Sequence, residues 1–335
     1  MGAVTIASNV PSRQPWQATR RLSTREGERV IDLVREAMVT RHRDLYTFSH
    51  ADPHEVRMVE CGDGLQFACV GANPRRRLMF ETSYGFLTLK SGVPIGYVLT
   101  SSLFNSTELA YNIFDTFRGG EAAKVFGRVV AMAAHIFVSN AFSIDPYQLG
   151  YGNNEGLQSG AWWFYYKLGF RPHDPYVKDV LRGELKRMKA DPTHRSDLET
   201  LNELSSESMF LHLGRERQDV LGQVDLGQPG VAVSRYLAGR FGADREHGLD
   251  ICATEAAGRV NLRSRRGFSP GEHLAWRRWS PLIMLIPGVE SWPAADKRAL
   301  VEVVRAKGGR CESDFVWGFD AHRRLRRAVL KLVQP

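Results

Sequence analysis

From its N-terminus the chain first shows a helical period. Val30, Val34, Ala37 and Met38 fall three and four residues apart and give one apolar face. Ser23 with Glu26 three residues on forms a capping box, so the helix is expected to start at Ser23. From Leu65 the texture turns to β. Leu65–Val70, Gly85–Leu89, Pro94–Leu103 and Glu108–Phe114 are rich in aromatic and aliphatic residues, and the turn formers Asn73-Pro74, Ser91-Gly92 and Asn105-Ser106 separate them. An antiparallel meander follows from that pattern. Ala122–Val138 is a second helix, whose stripe of Val125, Val129, Met132, Ala133 and Ile136 needs a sheet or another helix to cover it. A strand at Phe142–Leu149, a helix from about Asn154 to Leu168 and a stop at Pro172 complete the order helix, meander, helix, strand, helix, strand.

After Pro175 the pattern becomes mainly helical. Val177–Ala190 is amphipathic and rich in Lys and Arg, and Asp197–Ser205 is a second candidate. Ser291–Lys307 is bounded by Ser291 as cap, Pro293 in the first turn and Gly308-Gly309 as the stop. Asp320–Val333 puts Leu325, Val329 and Leu332 on one face and Arg323, Arg324, Arg326, Arg327 and Lys331 around it. The Gly-rich middle, Leu213–Phe268, carries no assignable pattern.

A chain of 335 residues is long for one core, so two units are expected, at 1–175 and 176–335. With 43% hydrophobic and 24% charged residues, neither disorder nor a fibrous class is favoured. Apolar stretches such as Pro281–Val289 and Val125–Val138 are too short or too interrupted to span a bilayer, and no membrane passage is expected. Met1–Val10 lacks a basic start with a sustained apolar core, so it does not read as a secretory signal. Cys61, Cys69, Cys252 and Cys311 are too scattered for a zinc clamp or a redox pair, and cytoplasmic residence with free thiols is the expectation. The net charge of +8 is uneven: residues 1–175 hold 18 Lys/Arg against 16 Asp/Glu, leaving 27 against 21 for residues 176–335. A solvated surface accounts for such an excess, and so does a polyanionic partner such as tRNA or an acidic carrier protein.

Tyr111–Ala123, YNIFDTFRGGEAA, is an apolar strand running through a glycine pair into a helix of small residues. Such a loop turns several backbone N–H groups, unpaired within the helix, toward one point, which suits a pyrophosphate. Gly119 and Gly120 lack the Cβ atoms that would hold a ligand off, and Ala122-Ala123 allow close approach. The second informative segment is GYGNNEGLQSGAWWFYYKLGFRP, Gly150–Pro172. Its Phe164-Tyr165-Tyr166-Lys167-Leu168-Gly169-Phe170 run resembles the Y-x-K-L-G-F ending of the last conserved helix in the GNAT acetyltransferase superfamily. The resemblance covers about residues 20–175.

That resemblance implies an α/β (α+β) fold: a mixed, mostly antiparallel sheet flanked by helices, with acetyl-CoA or another acyl-CoA wedged in a V between the fourth and fifth strands. It places the pantetheine arm along Asn112, Ile113 and Phe114, and the pyrophosphate on Phe117, Arg118, Gly119, Gly120, Glu121 and Ala122. The family's R/Q-x-x-G-x-G/A loop reads here as F-R-G-G-E-A, with Phe117 in place of Arg or Gln. Glu121 would repel a pyrophosphate unless it points away or caps the helix. Tyr165 falls where many members protonate the departing thiolate, a role that a phenol still protonated at neutral pH can fill. Core packing is the competing reading for Tyr165 and for its neighbours Trp162, Trp163 and Tyr166.

Acylation of an amine also needs a base. Glu108 at the start of the fourth strand is the first candidate, with Asp115 and Glu81 behind it. No metal is expected, since Pro53 between His50 and His54 spoils a helical ligand pair. Asn153-Asn154 make the turn that caps the last helix of this region. The function expected is acyl transfer from acyl-CoA to an unidentified amine or other nucleophile. A degenerate fold serving as sensor or interaction module, and a transferase fed by acyl carrier protein or aminoacyl-tRNA, are the alternatives.

Overall fold

The computed structural model describes residues 18–40, 46–117 and 121–333. Among the described residues nine strands make one sheet: β1 (Ala18–Arg21), β2 (Ala51–Glu60), β3 (Leu65–Ala72), β4 (Thr82–Lys90), β5 (Val93–Leu103), β6 (Ser106–Ile113), β7 (Ala141–Ile144), β8 (Arg171–Pro172) and β9 (Met209–His212). Their order is β1-β2-β3-β4-β5-β6-β7-β9-β8. Every neighbouring pair is antiparallel except β6 and β7, which run parallel. The fold is therefore mixed α/β with a mostly antiparallel sheet. Local chemistry sets the hairpins. Ser91 (φ 49) and Gly92 (φ 81) close β4–β5 in the left-handed region, the backbone sense that matches strand twist, and Phe104 and Asn105 do the same for β5–β6.

One face of the sheet is covered by α1 (Thr24–Val39), whose Ile31, Val34, Ala37 and Met38 pack over Val56, Ala68, Val70, Leu87 and Tyr97. The Ser23–Glu26 capping box is present as expected. A short α2 (Tyr46–Ser49) lies beside α1, with Phe48 against Gly85 of β4. The other face receives α3 (Ala122–Ile136) and the C-terminal helices, in one cluster that runs from Val59 to Val329. Residues from both sides of Pro175 enter it. Burying each large side chain there contributes about 1.5–3 kcal/mol. Trp279 is fully buried and donates its indole N–H to Met79 O at 2.9 Å, tying a C-terminal helix to the β3–β4 connection.

The structure departs from the sequence reading in several places. β1 and β2 were not expected. β2 hides because its buried side carries Glu55, which an inward-facing Arg77 satisfies, so the hydrophobic alternation is broken. The strand expected over Phe142–Leu149 stops at Ile144, where Asp145 accepts from Tyr147 N–H and caps α4 (Pro146–Leu149). The helix expected over Asn154–Leu168 is two, α5 (Asn154–Ser159) and α6 (Ala161–Lys167), broken by Gly160 at φ 68. Asn153 caps α5 as expected. Next come α7 (Pro175–Ala190) and α8 (Leu198–Leu204), capped by Asp174 and Asp197. β9 then inserts between β7 and β8. The unassigned middle holds α9 (Gly227–Phe241) and α10 (Arg245–Arg259), followed by α11 (Pro270–Leu285). Ser291 ends a short 3-10 turn and does not cap α12 (Ala294–Gly308), which begins after Pro293. The helix expected over Asp320–Val333 breaks at His322 into α13 (Ser313–Ala321) and α14 (Arg323–Val333).

Candidate active site

The parallel pair β6–β7 comes apart. Ser106, Thr107 and Glu108 face Ala141, Phe142 and Ser143, and the pairing ends there. Asp145 and Pro146 turn the chain into α4, so β7 is only four residues long. β6 continues through Leu109–Ile113 with β5 on one side and, among the described residues, no strand on the other. A strand edge without a partner presents backbone N–H and C=O groups to whatever enters the opening.

Side chains of β6 alternate across this fork. Leu109 and Tyr111 are buried toward α3, while Glu108, Ala110 and Asn112 are partly buried on the opposite face. On the Glu108 face, cross-strand partners line up a polar row: Ser83 of β4 opposite Ser101 of β5, Ser101 opposite Glu108, and Glu108 opposite Ser143 of β7. Thr47 on α2 reaches the Ser83 hydroxyl at 3.4 Å. The Ser143 hydroxyl is fully buried and has no hydrogen-bond partner among the described residues. Burial, then the nearby charges of Asp145 and Glu81, push the Glu108 carboxyl up to about 7. Among the described residues no cation or hydrogen bond offsets the cost of burying that charge.

The α3 face of the fork is aromatic. Tyr111 and Tyr165 flank Phe126 with centroids at 5.2 and 5.5 Å, and Phe164 and Phe170 close around Tyr165. Burial raises the pKa of both phenols, and each stays protonated at neutral pH. Tyr165 thus belongs to the core, and its hydroxyl shares the neighbourhood of the fork with that of Tyr111. Tyr166 instead stacks on Trp162 at 5.4 Å under the Arg171 guanidinium.

Of the residues that sequence assigned to the donor, Asn112 and Ile113 lie on the unpartnered stretch of β6 and Phe114 follows it, buried against Tyr97. Asp115–Phe117 form a 3-10 turn, with Phe117 exposed. Arg118, Gly119 and Gly120 lie outside the described residues. Glu121 stands at the N-cap position of α3 but makes no capping bond; its carboxylate sits 3.4 Å from Lys90 Nζ. Ala122 is the first residue of α3. Glu81 lies just ahead of β4, its carbonyl accepting from Lys307. The sequence reading missed Tyr111, Ser143 and Asp145. Period two counted from Glu108 puts Tyr111 on the other face of the strand, and Asp-Pro after a strand signals a helix start.

Among the described residues no group of three or more His, Cys, Asp or Glu is arranged to hold a metal, and no helix is long and apolar enough to cross a membrane. His50 packs on Tyr46 and His54 meets the Thr24 hydroxyl. Cavities lined by described residues include two more, the second of which reaches Phe210 and Gly222 beside Ser143. One of about 750 Å³ lies among α12, α13 and α14, where Asp296 already pairs with Arg324; one of about 560 Å³ lies near His173, which pairs with Glu216. Neither gathers an unpaired base and neutral phenols as the fork does. No family model, no curated protein and no solved structure matches this chain.

Proposed function

We propose that the protein is an acyl-CoA-dependent acyltransferase with a GNAT-like sheet, in which the donor enters the opening between β6 and β7 and an amine attacks from the Glu108 face. The observation that carries this reading is the bare Glu108 carboxyl, held near neutrality where a parallel strand pair separates. A base whose pKa lies near the working pH is ionised and still basic enough to take a proton in the transition state. Asp145 and Glu81 add negative charge nearby, which favours a protonated amine approaching that face.

In this mechanism the ammonium first gives one proton to solvent through Glu108, and the neutral nitrogen then attacks the thioester carbon as Glu108 takes a second proton. The C–S bond then breaks, and neutral Tyr165 gives its proton to the departing thiolate. The proton on Glu108 returns to Tyr165 through solvent, so the cycle balances. The pantetheine arm runs beside Asn112, Ile113 and Phe114, and the pyrophosphate meets the 117–122 segment. Glu121 does not oppose that anion unaided, because Lys90 neutralises it.

A thermal-shift and mass-spectrometric screen of acetyl-CoA, longer acyl-CoAs and acyl carrier protein against the purified protein tests the proposal. A rise in melting temperature with an acyl-CoA is expected. If none shifts it up to millimolar concentration, the sensor reading takes over, which the exposed Phe117 in place of Arg or Gln favours. Binding of carrier protein or aminoacyl-tRNA instead, with log affinity falling steeply with log salt, selects the reading in which Lys178, Arg182 and Lys186, exposed along α7, meet a polyanion.

A further inference from the structure

We propose that the Tyr111 hydroxyl is the hydrogen-bond donor to the carbonyl oxygen of the bound thioester, a role that rests on the acyltransferase reading. Five buried side-chain polar atoms among the described residues have no partner: Arg57 Nε, Thr88 Oγ1, Tyr111 Oη, Ser143 Oγ and Glu312 Oε2. Two of them, on Tyr111 and Ser143, lie on the strands of the fork, one on each face. A buried hydroxyl without a partner is costly, and native proteins keep few of them. Phenylalanine would pack as well against Phe126, so packing does not explain the oxygen.

Its position does. Tyr111 faces Val98 of β5 three residues past the last β6–β7 pair, where the edge of β6 is open. Three residues along a strand also reverse the face, so Tyr111 stands on the side opposite Glu108. A thioester lying through the fork would then meet the base from one side and two phenols from the other. The phenols divide the work: Tyr165 serves the sulfur and Tyr111 the oxygen. As nitrogen attacks, the carbonyl π pair moves onto oxygen, and Tyr111 O–H stabilises that charge without transferring its proton. When the adduct collapses, the pair returns and the thiolate leaves. Burial and the neighbouring Tyr165 keep Tyr111 neutral, as a donor must be. A donor placed where charge develops acts most strongly in the transition state, and more weakly on the bound ground state.

Tyr111→Phe tests this with acetyl-CoA and free CoA as probes, since only the first carries the carbonyl. The unliganded variant is expected to melt no lower than the wild type, because only an unpartnered oxygen is lost. Calorimetry is expected to show acetyl-CoA binding about 3- to 10-fold more weakly, with CoA unchanged. The infrared carbonyl band of bound ¹³C-labelled acetyl-CoA, displaced to lower frequency in the wild type, is expected to move back in Tyr111→Phe and to stay displaced in Tyr165→Phe. Equal acetyl-CoA affinity and an unmoved band in Tyr111→Phe overturn the assignment. So does an equal loss for CoA and acetyl-CoA, which marks a packing role. Should the wild type bind neither probe, the acyltransferase reading itself falls, an outcome distinct from a Tyr111 variant that binds normally.

Discussion

Glu55 and Glu108 are both pushed up to about 7 by burial, yet their surroundings are opposite. Glu55 of β2 meets Arg77 Nη2 at 2.9 Å, accepts from the Glu312 backbone N–H at 2.7 Å and takes the Tyr84 hydroxyl as a further donor. Arg77 spends its other donors on the carbonyls of Ala72, Lys307 and Gly309, and Lys307 Nζ reaches Glu312 at 2.6 Å. Strand, hairpin and C-terminal helices are joined through buried charges that are nearly all matched. Glu108 has no such company. A satisfied buried network rigidifies a fold, whereas an unsatisfied carboxyl costs stability and marks a place where a group is kept available. Both carboxyls are pushed up to about 7, Glu55 fully buried and Glu108 partly so, and it is their partners that distinguish a joint from a site.

Four measurements break or sharpen that contrast, taken from the largest effect down. Glu108→Gln keeps shape and removes the base, so acyl transfer from acetyl-CoA to an amine acceptor is expected to slow about 100- to 10,000-fold. In the wild type the rate should rise with pH to a plateau, with its midpoint near 7. A variant as fast as the wild type removes Glu108 from the chemistry. Arg77→Ala leaves Glu55 and Glu312 buried without a shared cation, and urea unfolding is expected to show a loss of about 3–5 kcal/mol. A loss below about 1 kcal/mol would mean that the network is neutral and not a joint of charges.

The third effect runs the other way. The folded-state pKa of Glu108 lies above its ordinary 4.5, so the folded state holds this proton more tightly. The wild type therefore loses stability as pH rises from about 4.5 to 7 and carries the full penalty above 7. Glu108→Gln has no such charge. Its stability relative to the wild type is expected to grow from near zero at pH 4.5 to about 1–3 kcal/mol at pH 8, which paired denaturation curves measure. Because Glu55 is unchanged in both proteins, its own titration cancels. Smallest is Ser143→Ala: removing an unpartnered buried hydroxyl should change stability by less than about 1 kcal/mol. A larger loss would show that Ser143 has a partner in solution and that the Glu108 face is not bare.

The sequence by itself determined what neighbouring residues can settle. Ser23 with Glu26, Asn153 and Asp197 cap helices through bonds spanning two or three residues, and the hairpin at Ser91-Gly92 needs only two left-handed backbones. The strand-to-helix passage after Glu108 was legible too, because each element has its own period. Tertiary structure decided the rest. The inward Glu55 disguised β2 until Arg77 arrived from beyond β3, and the Gly-rich stretch of α9 and α10 read as loop although only Gly248, set close against Phe241, is required by packing there. The insertion of β9 between β7 and β8 joins segments tens of residues apart. The candidate site was half visible: Glu108 could be proposed from its strand-end position and Tyr165 from the motif, but the absence, among the described residues, of any partner for Glu108, Tyr111 and Ser143 could not. A missing partner is a property of everything packed around a group, and no local pattern encodes it.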